Sequence, residues 1–391
     1  MLKKTITSLI FLILIFKSSL LFSEDIPIIV IAPSKKPQSA STVGTSVVVL
    51  DEEFLKNSNE YFLGDVLSGG TTSANFFQNG GHGSTSAIQL RGLPKRYSTV
   101  YIDGVKMSDP SSVSGDFDFN HILTSQISRV EILKGNQSSV YGSGAIGGTI
   151  NITTKKGKPG TQKNTMINTG SYGTVNYSAS YSGSDEINNF YIGFEKFQTK
   201  GMSAMTHNDE KDGYKNNSLV ANYSRELANN FKIKSNLRFS DTNKQYDKEV
   251  DTSTATHSEE EDSLQSSANL SLEYNLNEKF NNEVSLAQTY IKRIYNAAPG
   301  SGNTVKDNYY GERYNYGYKG NYNFDLDNSI IFGIEREDDQ IGYNANMTGK
   351  KVESFYTTSK YFDYQKRFSE NIFATFGSRF DDNSVAGNEE A

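Results

Sequence analysis

From Gly160 onward the chain reads as a series of two-residue alternations between apolar and polar positions. In Val175-Asn176-Tyr177-Ser178-Ala179-Ser180-Tyr181 every second residue is apolar. Phe231, Ile233, Leu237 and Phe239 alternate with Lys232, Lys234, Asn236 and Arg238. Ala268, Leu270, Leu272, Tyr274 and Leu276 form another row, and Tyr314, Tyr316, Tyr318, Tyr322 and Phe324 alternate with Asn315, Gly317, Lys319, Asn321 and Asn323. A period of two puts one kind of residue on each face of a strand. Ten strands are predicted in this way, centred near residues 175, 193, 220, 236, 271, 287, 318, 334, 360 and 376. Their connections alternate between short ones, such as Glu226 to Asn230 and Asn275 to Asn281, and long polar ones, such as Thr199 to Asn217 and Asp241 to Ser266.

Composition decides what kind of sheet this is. Only 36% of the 391 residues are apolar, and the 12% aromatic content comes from 24 Tyr and 23 Phe with no Trp. A soluble β-sandwich this rich in Tyr, Asn and Ser would struggle to build a large core. A membrane barrel turns its apolar face to lipid and its polar face inward, with short turns at one end and long loops at the other. The N-terminus fits export. Lys3 and Lys4 precede the apolar run Leu9 to Phe16, and Glu24-Asp25 follow, so residues 1–23 read as a signal peptide. A run this short is an h-region rather than a membrane-spanning helix, which needs about 20 residues. The chain has no cysteine, hence no disulfide framework and no thiol chemistry. A net charge of −6, from 39 basic and 45 acidic residues, argues against a nucleic-acid partner.

The first part of the chain has a different grammar: short β-branched runs that end in glycine, as in a small mixed sheet with tight turns. Blocks occur in the order Ile28-Ile29-Val30-Ile31-Ala32, Ser46 to Asp51, a helical stretch with Leu63, Val66 and Leu67, Gln78-Asn79-Gly80-Gly81, Ile88 to Gly92, and Val100 to Val105. Asp103-Gly104 is a hairpin signal between apolar strands. The final block runs from Arg129 to Gly135 and on through Ser139 to Ile152. In order and spacing these blocks resemble the plug domain of the TonB-dependent outer-membrane receptors. The resemblance implies a TonB box at Ile28, Ile29, Val30, Ile31 and Ala32, with 24–37 as that segment and its linker, 38–159 as the plug, and 160–391 as the first part of a transmembrane barrel. The expected fold is therefore mainly β: a small α+β plug followed by an antiparallel transmembrane β-barrel. Gly142-Ser143-Gly144-Ala145-Ile146-Gly147 matches the dinucleotide fingerprint. Strand formers rather than a helix follow it, so the match is rejected.

Within that family the sequence is most similar to the cobalamin receptors. The likeness rests on the loop Gln78 to Ser84 and the loop Met107 to Asp118. It implies substrate contacts at Asn79, Ser84, Thr85, Ser86, Val113 and Ser114. It also implies calcium in the first long loops. There Glu210, Asp212, Tyr246 and Asp247 are the candidate ligands, since calcium takes six to eight oxygens, mostly from carboxylates. Solvated acidic loops are the competing reading. The implied activity is uptake of a scarce nutrient, cobalamin or a related corrinoid, by a monomer in the outer-membrane lipid that is driven by TonB and its inner-membrane complex. No cofactor is required. A siderophore or haem receptor of the same family and a non-functional remnant are the alternatives. No serine, histidine and acid constellation for catalysis stands out, so no enzyme is expected. A barrel with a plugged lumen has about 22 strands. Ten predicted strands and a polar, loop-like stretch from Asp381 to Ala391 lead to the expectation of a fragment.

Overall fold

The computed structural model describes residues 29–30, 38–39, 44–71, 74–112, 114–115, 117–203, 211–228, 230–247, 259–296, 306–345, 349–369 and 372–390. The signal-peptide stretch lies outside them.

Among the described residues the N-terminal unit contains nine strands. β1 (Ile29–Val30) and β2 (Gln38–Ser39) pair antiparallel as a two-stranded ladder. β3 (Ser46–Leu50), β8 (Ile127–Lys134), β9 (Gly148–Thr154), β6 (Ser98–Ile102) and β7 (Val105–Lys106) form a mixed sheet in that order, in which β6 and β9 run parallel. β4 (Ala74–Gln78) and β5 (Ser86–Leu90) form a separate hairpin. The β6–β7 hairpin turns at Asp103 (φ 48°) and Gly104 (φ 83°), the left-handed pair that an Asp-Gly turn supplies. Two helices pack on the sheet. Glu52–Asn57 is capped by Asp51, whose carboxylate accepts from the Phe54 amide at 2.8 Å. Leu63–Gly70 buries Leu63, Val66 and Leu67, the apolar positions expected of it. These join Leu50, Ile88, Leu90, Val100, Ile102, Val130, Ile132, Ile150 and Ile152 in one core. At roughly 1.5–3 kcal/mol per fully buried aliphatic side chain, this core is what folds the unit. The fingerprint-like glycines lead straight into β9, as a strand rather than a helix.

The described residues of the rest form one antiparallel meander of twelve strands. They are β10 (Gly160–Gly170), β11 (Thr174–Ser184), β12 (Asn188–Thr199), β13 (Tyr214–Ala228), β14 (Phe231–Tyr246), β15 (Glu259–Asn277), β16 (Phe280–Asn296), β17 (Lys306–Asn323), β18 (Asn328–Ala345), β19 (Gly349–Ser369), β20 (Ile372–Asn383) and β21 (Gly387–Glu390). Among the described residues β10 and β21 do not pair, so the wall is an open, partial barrel. Its outer face carries exposed apolar side chains such as Ile192, Phe194, Leu237, Phe239, Leu270, Leu286, Tyr316 and Phe376. The opposite parity is polar and buried: Asn176, Glu195, Asn216, Ser218, Asn222, Arg238, Ser263, Arg313 and Asp363.

Two expectations are corrected. Gly160–Gly170 is a strand missed by the pattern, and Asp381–Glu390 is not a loop, because β20 runs to Asn383 and pairs with β21. The long connections are also shorter than read, since β13 begins at Tyr214, β14 ends at Tyr246 and β15 begins at Glu259. The reason is common to these places. At the wall's edge or rim the outward positions are polar as well, and the period-two signal vanishes while the ladder continues.

The polar inner face is filled by the N-terminal unit. Asn222 donates to Thr154 Oγ1 at 2.6 Å and to the Lys155 carbonyl at 2.7 Å. Ser218 donates to Gln126 at 2.9 Å, and Ser125 donates to Glu195. Lys106 pairs with Glu337 at 2.8 Å, and Arg379 donates to the Val140 carbonyl at 3.3 Å. Tyr214 is buried and donates to the Asn120 carbonyl at 3.1 Å. His121 Nδ1 lies 3.1 Å from the same hydroxyl. Burial is the main cause that pushes His121 down from its ordinary value near 6.5 to about 4, with Glu261 opposing and Lys244, Arg238 and Arg293 adding to the shift.

Two outcomes follow from these contacts. A Cβ on Gly148 would stand 2.1 Å from the Leu133 carbonyl oxygen at a φ of +145°, so Gly148→Ala should destabilise the N-terminal unit by at least about 2 kcal/mol. Thermal unfolding followed by circular dichroism, with trypsin sensitivity as a second readout, checks this. The unfolded chain protonates His121 near 6.5 while the folded chain resists until about 4, so its contribution to stability is intact above 6.5 and declines as pH falls to 4. The difference in melting temperature between wild type and His121→Gln should therefore change across that window and be flat above it.

Candidate functional site

Two loops of the N-terminal unit meet the wall at the end carrying its long connections. The first links β4 to β5. The Asn79 amide donates to the Thr85 carbonyl at 3.1 Å, and the Ser84 amide donates to Gly81 at 3.1 Å. The Gln78 side chain donates to the carbonyls of Gly80 and Gly81 at 3.0 and 2.5 Å. These bonds fold Asn79 to Thr85 into a tight arch. Gly83 (φ +79°) presses on the ring of Tyr214, which a Cβ would approach to 2.3 Å. His82 packs its imidazole on Phe62 and Phe197, with ring centres 5.0 and 5.5 Å apart.

The second loop follows β7. Asp109 accepts from the Ser111 amide and hydroxyl at 2.8 and 2.7 Å. Its other oxygen pairs with Arg293 at 3.0 Å, and Arg293 also donates to the Ser111 hydroxyl at 3.1 Å. Arg313 donates to the Ser108 carbonyl at 3.1 Å and pairs with Asp339 at 2.8 Å. Thr289 donates to the Lys106 carbonyl at 2.8 Å. The loop is thus held by β16 and β17 of the wall. The two loops are tied to each other through Ser86, which donates to Asp118 at 2.6 Å and accepts from the Phe119 amide at 3.0 Å. Burial pushes the Asp118 carboxyl up, against the lowering effect of that Ser86 bond.

The sequence-derived site residues fall out as follows. Asn79 and Thr85 are exposed at the arch, and Ser84 is half-buried beside them. Ser114 is half-buried on the second loop, and Val113 lies outside the described residues. Ser86 is 1% exposed, and its hydroxyl is engaged twice as a tie between the loops. Ile29 and Val30 form β1, with Val30 fully buried, while Ile28, Ile31 and Ala32 lie outside the described residues. Of the calcium candidates Glu210 also lies outside. Asp212, Tyr246 and Asp247 come to neighbouring strand ends, because the Gln245 amide donates to the Gly213 carbonyl at 2.8 Å. Among the described residues no three or more His, Cys, Asp or Glu side chains gather into a metal cluster.

Sequence reasoning missed the aromatic group of Phe62, His82, Phe197 and Tyr214, and the anchors Asp109, Arg293 and Arg313. One signal was present. Phe197, Val220, Ile291, Ile331 and Tyr361 are apolar residues on the polar parity of their strands, and all are buried. Phe197 is where the wall touches the N-terminal unit, against Tyr61 and Phe62.

Comparison with known proteins agrees with this architecture. Residues 39–149 match the family model of the TonB-dependent Receptor Plug Domain. Among curated proteins, the vitamin B12 transporter BtuB of Vibrio vulnificus (strain CMCP6) is 27% identical over 231 residues, which cover 56% of this chain. The chain spans 36% of that relative's length. Among solved structures, the ferric enterobactin receptor PfeA of Pseudomonas aeruginosa superposes with a TM-score of 0.72 at 15% identity, over 88% of this chain and 58% of that one. The siderophore receptor PirA of Acinetobacter baumannii gives 0.70 at 17%, over 88% and 57%. The ferric yersiniabactin uptake receptor FyuA of Yersinia pestis gives 0.66 at 17%, over 89% and 60%. At these identities the structural likeness speaks for the fold alone; the plug match shows that residues 39–149 are a TonB-dependent receptor plug domain, and the curated relative is similar over 56% of the chain.

Proposed function

We propose that this chain is the plug and first part of the barrel of an outer-membrane receptor for the active uptake of a corrinoid, cobalamin or a close relative. The observation that carries the reading is the convergence of the two plug loops at the long-loop end of the wall, fastened there by Asp109–Arg293 and Arg313–Ser108. Long loops face the outside in such barrels, so ligand would arrive at Asn79, Ser84, Thr85, Val113 and Ser114. The curated relative's name supports the corrinoid over other cargo. The family is one of transport receptors rather than enzymes, and no residue is given a catalytic role. Residues 1–23 would direct export and be removed.

Energy would enter at Ile28 to Ala32. An extended apolar segment can add as an edge strand to a partner's sheet. β1 is already paired with β2 and Val30 is buried, so this segment has to leave its own ladder before TonB takes it. Calcium would bind at the rim through Glu210, Asp212, Tyr246 and Asp247. The support is the register that brings Asp212 next to Tyr246 and sets Glu259 opposite Tyr246.

Two measurements test the reading. Cyanocobalamin should bind the full-length protein with a Kd near or below about 1 μM, weakened at least about tenfold by chelator or by Asp212→Asn with Asp247→Asn. Binding of a ferric siderophore in place of cobalamin contradicts the ligand assignment. Ile29→Pro removes a donor from β1 and should abolish uptake into cells while leaving binding to purified protein unchanged. Equal loss of both would mean the segment serves the fold instead.

A further inference from the structure

The chain contains one Asn-Gly pair, Asn79-Gly80, and it stands in the arch between β4 and β5. Both residues are exposed and lie beyond the hairpin ladder, which ends at Gln78 and Ser86. The arch holds Asn79 by its backbone, whose amide donates to the Thr85 carbonyl at 3.1 Å. Among the described residues the Asn79 side chain makes no hydrogen bond and the Gly80 amide donates none. Gly80 has a φ of +134°, a region that glycine enters freely. With no Cβ beside it, the Gly80 nitrogen is also open to approach.

Elsewhere the corresponding groups are tied down. Asn328 and Asn383 precede serines in turns of the wall. The Asn328 side chain donates to both oxygens of Asp325 at 2.7 Å. The Asn383 side chain donates to Thr357 Oγ1 at 2.8 Å and accepts from the Val385 and Ala386 amides at 2.9 Å. The Asp103-Gly104 turn presents a carboxylate, a poor electrophile, and the Thr154 amide and hydroxyl pin it at 3.1 and 2.5 Å. At Asn79 a free side-chain amide and a free main-chain nitrogen are joined by a short tether, and such a tether gives a high effective concentration.

We propose that Asn79 is a self-modification site, at which the arch converts its own asparagine to aspartate and isoaspartate. Hydroxide removes the Gly80 amide proton. The nitrogen bonds to Asn79 Cγ, the Cγ–Nδ2 bond breaks, and ammonia leaves with a proton taken from water, which restores the hydroxide. The five-membered cyclic imide that results is opened by water at either carbonyl. Nothing is oxidised, and only water is consumed. Isoaspartate adds one carbon to the main chain ahead of Gly80. The Asn79–Thr85 closure and the Gln78 bonds to Gly80 and Gly81 then no longer fit together, so the arch widens and gains a charge. The chemistry is independent of the cargo, but it alters the loop to which ligand is proposed to come.

The test incubates the full-length protein in detergent, in mildly acidic and in alkaline buffer, and follows position 79 by digestion and mass spectrometry. The amide should give way to a carboxylate, faster in the alkaline buffer, and isoaspartyl methyltransferase should label the product. The rate should lie within about tenfold of that in the urea-unfolded chain, and should exceed the rates at Asn328 and Asn383 by at least about tenfold. In the converted protein, hydrogen exchange at the Ser84 amide, which donates to Gly81 in the fresh arch, should rise. Asn79→Gln, whose longer side chain disfavours the ring, should fold normally by circular dichroism and take no label at position 79. An Asn79 that reacts in urea but stays intact in the folded protein overturns the proposal, because the arch then withholds the attack. Conversion no faster than at Asn328 or Asn383, or methyl labelling of this peptide that persists in Asn79→Gln, overturns it as well. Unchanged exchange at Ser84 after conversion contradicts the widening of the arch.

Discussion

A sheet with exposed apolar side chains on one side and side chains such as Arg238, Glu195, Asn222 and Arg313 on the other must give those polar groups partners. Leaving a buried charge or amide unpaired costs several times what a single hydrogen bond contributes. The rest of the structure depends on that demand. The N-terminal unit meets it from a surface as polar as the wall: Gln126 with Ser218, Thr154 and Lys155 with Asn222, Lys106 with Glu337, the Val140 carbonyl with Arg379. Most of these bonds are directional and exchangeable with water. Such a seam holds one register firmly, yet it can be rewetted without exposing apolar area.

The apolar contacts across the seam are few and placed with purpose. The cluster of Phe62, Leu123, Phe197 and Tyr214 lies under the β4–β5 loop, where Gly83 and His82 rest on it. The second loop is held by charge instead, through Asp109, Arg293 and Arg313. One loop is thus clamped by shape and the other by ion pairs, and Ser86 joins them. A displacement of either loop is passed to the other through that link.

Much of this could be read from the sequence. Wherever one face of a strand is apolar and the other polar, the period of two is legible, and the predicted centres near 236, 271 and 318 fall within β14, β15 and β17. The Asp103-Gly104 turn and the buried face of Leu63, Val66 and Leu67 were equally plain, because each is set by local chemistry. What stayed hidden lies where the environment is polar on both sides, as in β10, the rim of β13 to β15, and β21. The site was legible only as loops. Ser86 looked like a ligand contact because a serine in a polar loop carries no mark of whether it faces water or a buried aspartate 32 positions away. Nothing in the sequence around Arg293 and Arg313 marks Asp109 and the Ser108 carbonyl as their partners.

The central claim is that the N-terminal unit sits against the polar face of the wall in the register that pairs Lys106 with Glu337. A zero-length carbodiimide reaction on the full-length protein tests it directly, since it joins an amine to a carboxylate only when the two are already in contact. With a separation of 2.8 Å, digestion and mass spectrometry should reveal a peptide linking Lys106 to Glu337, absent from Lys106→Gln. A protein folded by its other criteria that yields no such link, or that links Lys106 to an acid on another strand, would contradict the account.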